Sequence, residues 1–483
     1  MYWTRVRILV LLIGSMCSIA EAQDIGLDEY LSKLQSSHPF FAMESLSQDI
    51  EREQQRRFLG EQDWMVTAST RYSHEEHSQG NPFVAEKSDR LILSTGMERQ
   101  FWSNGGRVSI SYDYNRNDQL YAAPTGAFDQ HTNGLSIAYR LPLMKNKGGI
   151  LSRLNYELKS YDINIVHLNS LENQEVFLQE QGELFLDWAF LNEQRRIAEK
   201  RLDLAREELK QASRKRRVHL IDEVDVLRAK DAVISAEQNL SSIESRWKGL
   251  QAELATQSGI EQMNHGQPEF NLYQLKQLPV DEEVVASLRN HSRLLKAIDI
   301  RIKQLAHQKS AFRDEMKPEL NLVLSGGVGS EDTQFRQSAR FDQSQYTAGL
   351  EFRQPFGQRT AKSDVARVRI QQLQLQREHS SIARQLEASL RNLLVQLREL
   401  DKVMAYNREQ IKISRRKTVA ELKKYNQGKN ELTFVIQSRD NEQQVQLIHA
   451  QNATLYQKLY LRYASLNDQL LTKITNENRE YQQ

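Results

Sequence analysis

The sequence has few residues that interrupt helices and almost none that could form cross-links. Its 483 residues include 8 prolines, 21 glycines and a single cysteine, and 65 Lys and Arg against 63 Asp and Glu leave a net charge of +2. The mean hydropathy is −0.65. Repeated apolar runs of ~20 residues are missing, which excludes a polytopic helical membrane protein. The small net charge provides no general attraction to nucleic acid, so no nucleic-acid partner is predicted.

The N-terminal residues predict an exported protein. Two arginines precede an apolar run over residues 8–16, and small residues follow up to Ala22. This pattern is typical of a secretory signal peptide covering residues 1–22. The only cysteine, Cys17, lies inside this segment, and lipidation of Cys17 is the alternative to cleavage after Ala22. Cleavage would leave a mature chain without disulfides, thiolate metal sites or a cysteine nucleophile.

The prolines are unevenly distributed and mark out two long helical regions. Residues 143–267 and 356–483 contain no proline, the residue that disrupts helix interiors most strongly. Apolar residues recur in both regions at spacings of three and four, which predicts helices. Each region has one interruption, near 217–222 and near 426–430, so we predict two long helical hairpins. An arm of ~65 residues would be ~100 Å long.

Two shorter regions alternate apolar and polar residues, which predicts β-strands. A Ser-Asn-Gly-Gly sequence at 103–106 predicts a hairpin turn between two of these strands. The predicted segments are a signal peptide (1–22), a first helix (23–62), a first strand group (63–145), a first helical hairpin (146–259), a linker (260–280), a second helix (281–316), a second strand group (317–357), a second helical hairpin (358–475) and a tail (476–483).

The order helix, strands, helical hairpin occurs twice, which we interpret as an internal duplication. Arg140–Leu143 aligns with Arg353–Phe356 at an offset of 213 residues (140 to 353), and the helical hairpins align at nearly the same offset. The helices before the strands align at an offset of 253 (His38 to His291). The difference of 40 residues, 253 minus 213, predicts an additional β-hairpin in the first strand group.

The predicted strands carry aromatic residues, and their free edges need a partner. Strands that are apolar on one face and polar on the other, with belts of aromatic residues, are typical of outer-membrane barrels, although a soluble β-domain fits the strands equally well. Open strand edges promote aggregation, so the closing of one barrel by several protomers is an economical solution. The residues predicted to form the aromatic belt are Trp64, Tyr72, Trp102, Tyr112, Tyr139 and Phe352.

The bends of the two hairpins carry the most specific sequence pattern. Lys424–Arg439 contains a Tyr, two further residues, a Gly and a short apolar run, and Glu223–Ala229 is a related sequence at the first bend. Pro142 and Pro355 stand at the two predicted junctions between strand and helix. In these features, and in its layout over essentially the whole mature chain, the sequence resembles the outer membrane efflux protein family, the TolC-like trimeric channel-tunnels of Gram-negative bacteria.

The resemblance implies a mostly α-helical fold with a β-barrel part. It implies a homotrimer whose strands form a barrel in the lipid of the outer membrane, while the coiled helical hairpins form an α-helical barrel in the periplasm. It further implies a passive, non-enzymatic duct that works with a periplasmic adaptor protein and, directly or indirectly, with an inner-membrane pump, in tripartite efflux or type I secretion. The residues implied to dock the adaptor are Val218, His219, Leu220, Asp222, Val224, Asp225, Tyr425, Gly428, Leu432, Val435 and Arg439.

Three features depart from the family pattern or leave alternatives open. His219 occupies a position where the family commonly has Gly, which casts doubt on a tight first bend. The inserted hairpin predicts either ~18 barrel strands in a trimer instead of ~12, or an extracellular extension. Basic residues near the bends predict either a ring that lines the tunnel or a solvated outer helix face. These basic residues are Arg214, Arg217, Arg415 and Arg416.

Motifs of catalytic or cofactor chemistry are missing from the sequence. We find no Walker-type loop, nucleophile elbow or dinucleotide fingerprint, so neither an enzyme nor a cofactor is predicted. His74–His77 lacks the spacing of a helical zinc motif and favours a polar loop. Gly326–Gly329 also predicts a loop. The alternative function is that of an exported periplasmic coiled-coil scaffold with a small β-domain, which the aromatic strands and the duplication argue against.

Overall fold

The structure is a computed structural model that describes residues 24–77, 84–121, 126–264, 266–278 and 281–471. The predicted signal peptide with Cys17 and the predicted tail at 476–483 lie outside the described residues. The chain forms two compact units. The helical unit comprises the described residues within Met1–Met43, Asn173–His291 and Leu386–Gln483, and the sheet unit comprises those within Glu44–Glu172 and Ser292–Gln385.

The long helices lie in the two regions without proline, whereas each helix predicted before the strands (23–62 and 281–316) is divided into two, and a short helix lies within the predicted second strand group. In the described residues the α-helices are α1 (Leu27–Ser37), α2 (Pro39–Arg57), α3 (Leu154–Arg217), α4 (Glu223–Ser258), α5 (Asp281–His291), α6 (Arg293–Glu315), α7 (Phe335–Ser338), α8 (Arg359–Asn426) and α9 (Leu432–Leu466). The longest are α3 with 64 residues and α8 with 68. Neither contains a proline, so the backbone hydrogen bonds of each helix continue without a break.

Among the described residues, none of the helices is both long enough and apolar enough to cross a membrane.

The sheet unit contains one antiparallel sheet that includes the inserted hairpin. In the described residues the strands are β1 (Ile25–Gly26), β2 (Met65–Glu76), β3 (Lys87–Gln100), β4 (Arg107–Leu120), β5 (Ala127–Pro142), β6 (Pro268–Glu269), β7 (Glu319–Asp332) and β8 (Gln343–Arg353). The six-stranded sheet has the order β2-β3-β4-β5-β7-β8. Four strands come from the first strand group and two from the second, so the strands of the predicted additional hairpin belong to this sheet.

The turn between β3 and β4 forms as its glycines predict, and it buries an aromatic residue. Phe101 N–H donates to the Gly106 carbonyl at 2.8 Å, and Gly105 adopts a φ of 74° that favours glycine. Trp102 lies in this turn, is buried, and has its ring 5.4 Å from that of Tyr156. The prediction that Trp102 belongs to an aromatic belt is therefore wrong, because its side chain anchors the turn to α3.

The helical unit has an aromatic core near the N-terminal helix. The rings of Tyr30 and Phe185 lie 5.4 Å apart, and those of Trp188 and Trp247 stack at 6.3 Å. Tyr30 donates its hydroxyl hydrogen to Gln181 at 3.0 Å. Burial raises the pKa of the Tyr30 phenol above its usual range. This cluster ties α1 to the middle of α3.

Residues of the predicted linker form a strap, which we define as residues 266–278, that contacts β1 and α9. β6 pairs in parallel with β1, joining Ile25 to Pro268. Gln457 donates to the carbonyl oxygens of Leu272 and Gln274 at 3.0 and 2.8 Å. The strap is thereby fixed to α9 through backbone acceptors that would otherwise be unpaired.

Candidate functional site

The two faces of the six-stranded sheet differ sharply in chemistry. Side chains alternate between faces along each strand, and the cross-strand pairs show which residues share a face. The apolar face includes Val66, Tyr72, Leu91, Leu93, Met97, Val108, Ile110, Leu135, Ile137, Leu324, Val328, Tyr346, Leu350 and Phe352. The polar face includes Thr67, Ser69, Arg71, Arg90, Ser94, Ser109, Ser111, Asp113, Ser136, Ser325, Thr347 and Glu351.

The apolar face is exposed over much of its area in the protomer. Tyr346 is 82% exposed, Val66 70% and Phe352 67%, and these residues belong to a single continuous surface of the sheet. Soluble monomers rarely expose apolar patches larger than a few hundred Å². The sheet is therefore built to contact an apolar environment on this face and water on the other.

The predicted aromatic residues of the sheet lie at more than one level. Tyr139 and Phe352 are near the strand ends that lead into helices, whereas Tyr72 and Tyr112 lie farther along their strands. All four belong to the apolar face, and Trp64 is exposed just before β2. These residues are thus distributed over the apolar face and do not form one narrow belt.

The short helix α7 covers a polar group on the apolar face, near the loop ends of the strands. Asn133 is buried, donates to the Ser338 hydroxyl at 2.7 Å, and accepts a hydrogen bond from Tyr112 at 2.6 Å. The Phe335 ring packs edge-on against Tyr114 at 5.5 Å. The helix thus satisfies an amide that would otherwise interrupt the apolar surface.

His74 and its acidic neighbours extend β2 instead of forming the predicted loop. His74 Nδ1 lies 2.8 Å from a carboxylate oxygen of Asp89 on β3. In the part of the chain that the structure describes, no group of three or more His, Cys, Asp or Glu residues is placed to hold a metal ion.

The two hairpin bends have the same backbone geometry. Five residues separate α3 from α4, and five separate α8 from α9. Leu220 N–H donates to the Lys215 carbonyl at 2.9 Å, and Lys429 N–H donates to the Lys424 carbonyl at 3.0 Å. His219 and Gly428 adopt left-handed φ values of 58° and 70° at equivalent positions, as expected for this type of helix end. The expectation of a looser first bend is therefore wrong, because His219 adopts the conformation that glycine usually supplies.

Several residues predicted to contact an adaptor lie inside the tip, which we define as residues 209–229 and 422–436. Tyr425, Leu432 and Val435 are buried and pack with Ala212 and Ala229. They hold the two bends together, so they cannot be contacts for a docked protein. This part of the sequence prediction is corrected by the packing.

Other predicted contacts do reach the surface of the tip. Leu220 is 72% exposed, and Asp225 is partly buried. The predicted residues that are exposed at the bends are Val218, His219, Leu220, Asp222, Val224 and Gly428. Among the predicted residues, the exposed ones therefore combine apolar side chains with the carboxylate of Asp222, the imidazole of His219 and the turn at Gly428.

A lysine from the basic run before the first bend turns inward and joins the two bends. Lys215 Nζ lies 3.5 Å from the centre of the Tyr425 ring and donates to the Tyr425 carbonyl at 2.9 Å. Burial lowers the pKa of Lys215, because the charged form loses water. This cation–π contact was not anticipated, since a run of basic residues normally indicates a solvated helix face.

The four arginines considered for a basic ring are all exposed. Arg214 directly precedes Lys215, Arg217 is the last residue of α3, and Arg416 lies on α8. Arg415 points a nitrogen to within 3.8 Å of a Glu442 carboxylate oxygen. The basic ring and the solvated outer face both stay predictions.

A buried charge cluster links α3 to α9 above the tip. Arg201 donates to Asp440 at 2.9 Å, and Glu208 lies 3.6 Å from Arg201 and 3.4 Å from Arg439. Burial raises the pKa of Glu208, although both arginines act in the opposite direction. Arg439 is largely buried within this cluster, so its predicted role as an adaptor contact is also corrected.

A groove opens beside this cluster on the helical unit. It encloses about 610 Å³ and is lined by Ala198, Arg201, Ala232, Ala236, Ile436 and Asp440, among others. Small residues recur on the side of α4 that lines the groove, and their short side chains leave space between α4 and α9. The spacing of Ala232 and Ala236 on α4 is the sequence signal that could have indicated the groove.

The chain is similar to known proteins in structure but not detectably in sequence. No protein-family model and no curated protein matches the chain by sequence. The chain is similar to CusC, a protein whose crystal structures concern folding and transmembrane channel formation, with a TM-score of 0.68, 10% identity and coverage of 92% of each chain. It is similar to the outer membrane protein VceC of Vibrio cholerae, with a TM-score of 0.65 and 11% identity over 91% of this chain and 96% of that one.

A third likeness is to the open state of the Neisseria gonorrhoeae MtrE outer membrane channel, with a TM-score of 0.57 and 15% identity over 92% of this chain and 89% of that one. TM-scores of 0.57–0.68 show a shared fold, and at identities of 10–15% the likeness extends to the fold alone. The chain has the fold of outer-membrane channel proteins, and the resemblance seen in the sequence is confirmed at the level of the fold.

Proposed function

We propose that this chain is an outer-membrane channel-tunnel, a passive export duct that functions as a homotrimer in a Gram-negative envelope. The observation that carries the proposal is the separation of apolar and polar residues onto opposite faces of a six-stranded sheet. A transmembrane barrel needs an outward apolar face against lipid and a polar interior that holds water.

The polar face supports the role of a water-filled conduit. Ser111 and Ser136 share a hydrogen bond of 2.8 Å across β4 and β5, and Arg140 forms an ion pair with Glu351 across β7. Hydroxyl and charged groups of this kind stay hydrated and leave a path for polar solutes. The long helices α3 and α8 would continue this path into the periplasm.

The exposed tip supports docking of a periplasmic adaptor protein. Val218, Leu220 and Val224 expose apolar side chains at the first bend, where a soluble helical protein would normally have polar residues. The turn at Gly428 in the second bend is also exposed at the tip. An adaptor with a complementary apolar end would cover this surface.

The driving force for transport would come from another protein. The sequence contains no nucleotide-binding motif, which agrees with a duct that an inner-membrane pump supplies through the adaptor, in tripartite efflux or type I secretion. MtrE is described as an outer membrane channel, which supports the role of a channel for this chain.

Fractionation and complementation test the proposal. We expect the protein in the outer-membrane fraction, and Leu220→Glu should abolish export in a deletion strain while the trimer remains. Gln238→Glu is the matched control, since it adds the same charge at an exposed position of α4 away from the bend. Recovery in the soluble periplasm without detergent would favour the scaffold alternative and contradict the channel.

A further inference from the structure

The six-stranded sheet ends in two free edges of matched length. Among the described strands, β2 with 12 residues and β8 with 11 each pair on one side only. Nearly all residues of both strands are exposed, unlike those of the strands between them. Unpaired strand edges in a protein are normally covered or paired, because their backbone groups invite association.

The direction of the edge strands β2 and β8 and the faces of their side chains both allow antiparallel pairing between copies. Each neighbouring pair in the sheet is antiparallel, so β2 and β8 run in opposite directions across the six strands. The apolar side chains of both strands stand at even-numbered positions, as in Tyr72 and Tyr346. Even residues of β8 must therefore face even residues of β2, since a slip by one residue would move every side chain to the other face.

We propose that β8 of one protomer pairs with β2 of the next, so that three copies close a barrel of 18 strands with a defined register. In this register Arg353 lies opposite Met65 of the next protomer, and Gln343 lies opposite Glu75. The proposal rests on the proposed trimeric channel and adds the number of strands, the interface and its register.

The register follows from the stagger of the sheet. Crossing the sheet from Met65 through the paired residues leads to Thr347 on β8. In the proposed register Thr347 faces Arg71 of the next protomer. Crossing the six strands of one copy therefore shifts the position along β2 by six residues, from 65 to 71. Three copies then give a total stagger of ~18 residues for 18 strands, which corresponds to a strand tilt of ~35° at ~3.3 Å per residue and ~4.8 Å between strands.

Neighbouring registers that keep the faces fit less well. A shift that places Thr347 opposite Ser69 would give a tilt of ~25°, below the usual ~35–45° of such barrels. A shift in the other direction gives ~43°, which is within that range, but it leaves the strand ends unpaired. Only the proposed register pairs all residues of β8 and places Tyr346 opposite Tyr72 and Phe352 opposite Val66, which are favourable cross-strand partners.

The inserted hairpin would widen the barrel. With the same spacing and tilt, 18 strands give a backbone diameter of ~34 Å, whereas 12 strands give ~22 Å. The cross-sectional area would increase about twofold before side chains are counted. The sheet would therefore admit larger cargo than a trimer built from four strands per copy.

Cysteine pairs test the interface directly. Cys17, in the predicted signal peptide, is the only native cysteine, so introduced pairs react without competition in the mature chain. The variant Ser69→Cys/Gly349→Cys places both thiols on the polar face at facing positions, and a side chain at Gly349 meets no atom within 4 Å. The control is Ser111→Cys/Ser136→Cys, which pairs two residues within one protomer.

We expect a short bifunctional thiol reagent to convert most of the Ser69→Cys/Gly349→Cys protein in outer membranes into covalent trimers. The control pair should give linked monomers only. A series that ends at covalent dimers would overturn the 18-strand barrel, and stronger linkage of Ser69→Cys to Thr347→Cys or Glu351→Cys would overturn the register. Outer-membrane trimers that never link through these edges would refute the inference and leave the channel intact, whereas a soluble periplasmic protein would refute the channel itself.

Discussion

The two bends of the helical hairpins provide a matched pair of substitutions with opposite expected effects. His219 and Gly428 occupy equivalent positions with left-handed backbone conformations. We expect His219→Gly to stabilise the first bend and Gly428→Ala to destabilise the second. Neither residue contributes to the buried cluster of the tip, so the change in backbone freedom should dominate both results.

The magnitude follows from the backbone energetics. A residue with a Cβ atom in the left-handed region costs roughly 1–2 kcal/mol, and glycine loses about 0.5–1 kcal/mol of this advantage through its greater freedom in the unfolded chain. The net effect is about 1 kcal/mol in each direction, or about fivefold in the equilibrium of local opening. A Cβ atom at Gly428 would meet no atom within 4 Å, so no steric clash adds to the cost.

Hydrogen exchange measures these local stabilities without unfolding the whole protein. Peptides that include Leu220 and Lys429 report the hydrogen bonds that close the two bends. Exchange should slow about fivefold near Leu220 in His219→Gly and accelerate about fivefold near Lys429 in Gly428→Ala. Peptides around Leu254, far along α4, should be unchanged. Faster exchange in His219→Gly would show that the first bend does not adopt the left-handed conformation in solution, and the equivalence of the bends would be wrong.

Three further predictions concern the sheet, the turn and the charge cluster. Leu93→Arg on the apolar face should lower the amount of folded protein in outer membranes, because an arginine facing lipid near the bilayer centre costs about 2–4 kcal/mol. The neighbouring Ser94→Arg on the polar face should be tolerated. Equal amounts of the two variants in outer membranes would contradict the assignment of faces. Gly149→Ala should prevent formation of heat-resistant trimers, because its Cβ would lie 2.0 Å from the Trp102 carbonyl oxygen, while Gly148→Ala, with open space around it, should cost only about 1–2 kcal/mol. The raised pKa of Glu208 means that the folded protein binds the Glu208 proton more tightly than the unfolded chain does. The stability of the native protein relative to Glu208→Gln should therefore fall as pH rises from 4 to 7. Thermal unfolding of both proteins measures this stability difference, and a native advantage that grows with pH would show that the pKa of Glu208 is not raised.

Much of the architecture can be predicted from local sequence, because local chemistry dictates it. Helices α3, α4, α8 and α9 lie within the two regions without proline, since nothing in those regions removes a backbone donor. The alternating residues of β2 to β5 and of β7 and β8 give strands whose two faces differ. The turn at residues 103–106 forms because glycine at 105 accepts a positive φ.

Other features depend on contacts between residues far apart in the sequence. Residues 326–329 lie in β7 and not in the predicted loop. Gly327 and Gly329 lie so close to the backbone of β5 that a Cβ atom on either would come within 3.0 Å of a carbonyl oxygen of that strand. Local sequence shows the freedom of these glycines, and only the neighbouring strand shows why they are needed.

The residues of the candidate site also depend partly on local sequence and partly on contacts between distant residues. The sequence alone determined that the chain has matched helical hairpins, two-faced strands and bends with a recognisable pattern, since each follows from the preferences of neighbouring residues. The packing of the two bends against each other places Tyr425, Leu432 and Val435 in the core of the tip and leaves Leu220 exposed. Long-range strand pairing joins all six strands in one sheet. Burial and strand pairing join residues up to hundreds of positions apart, and no local preference encodes which of two apolar residues will lie inside.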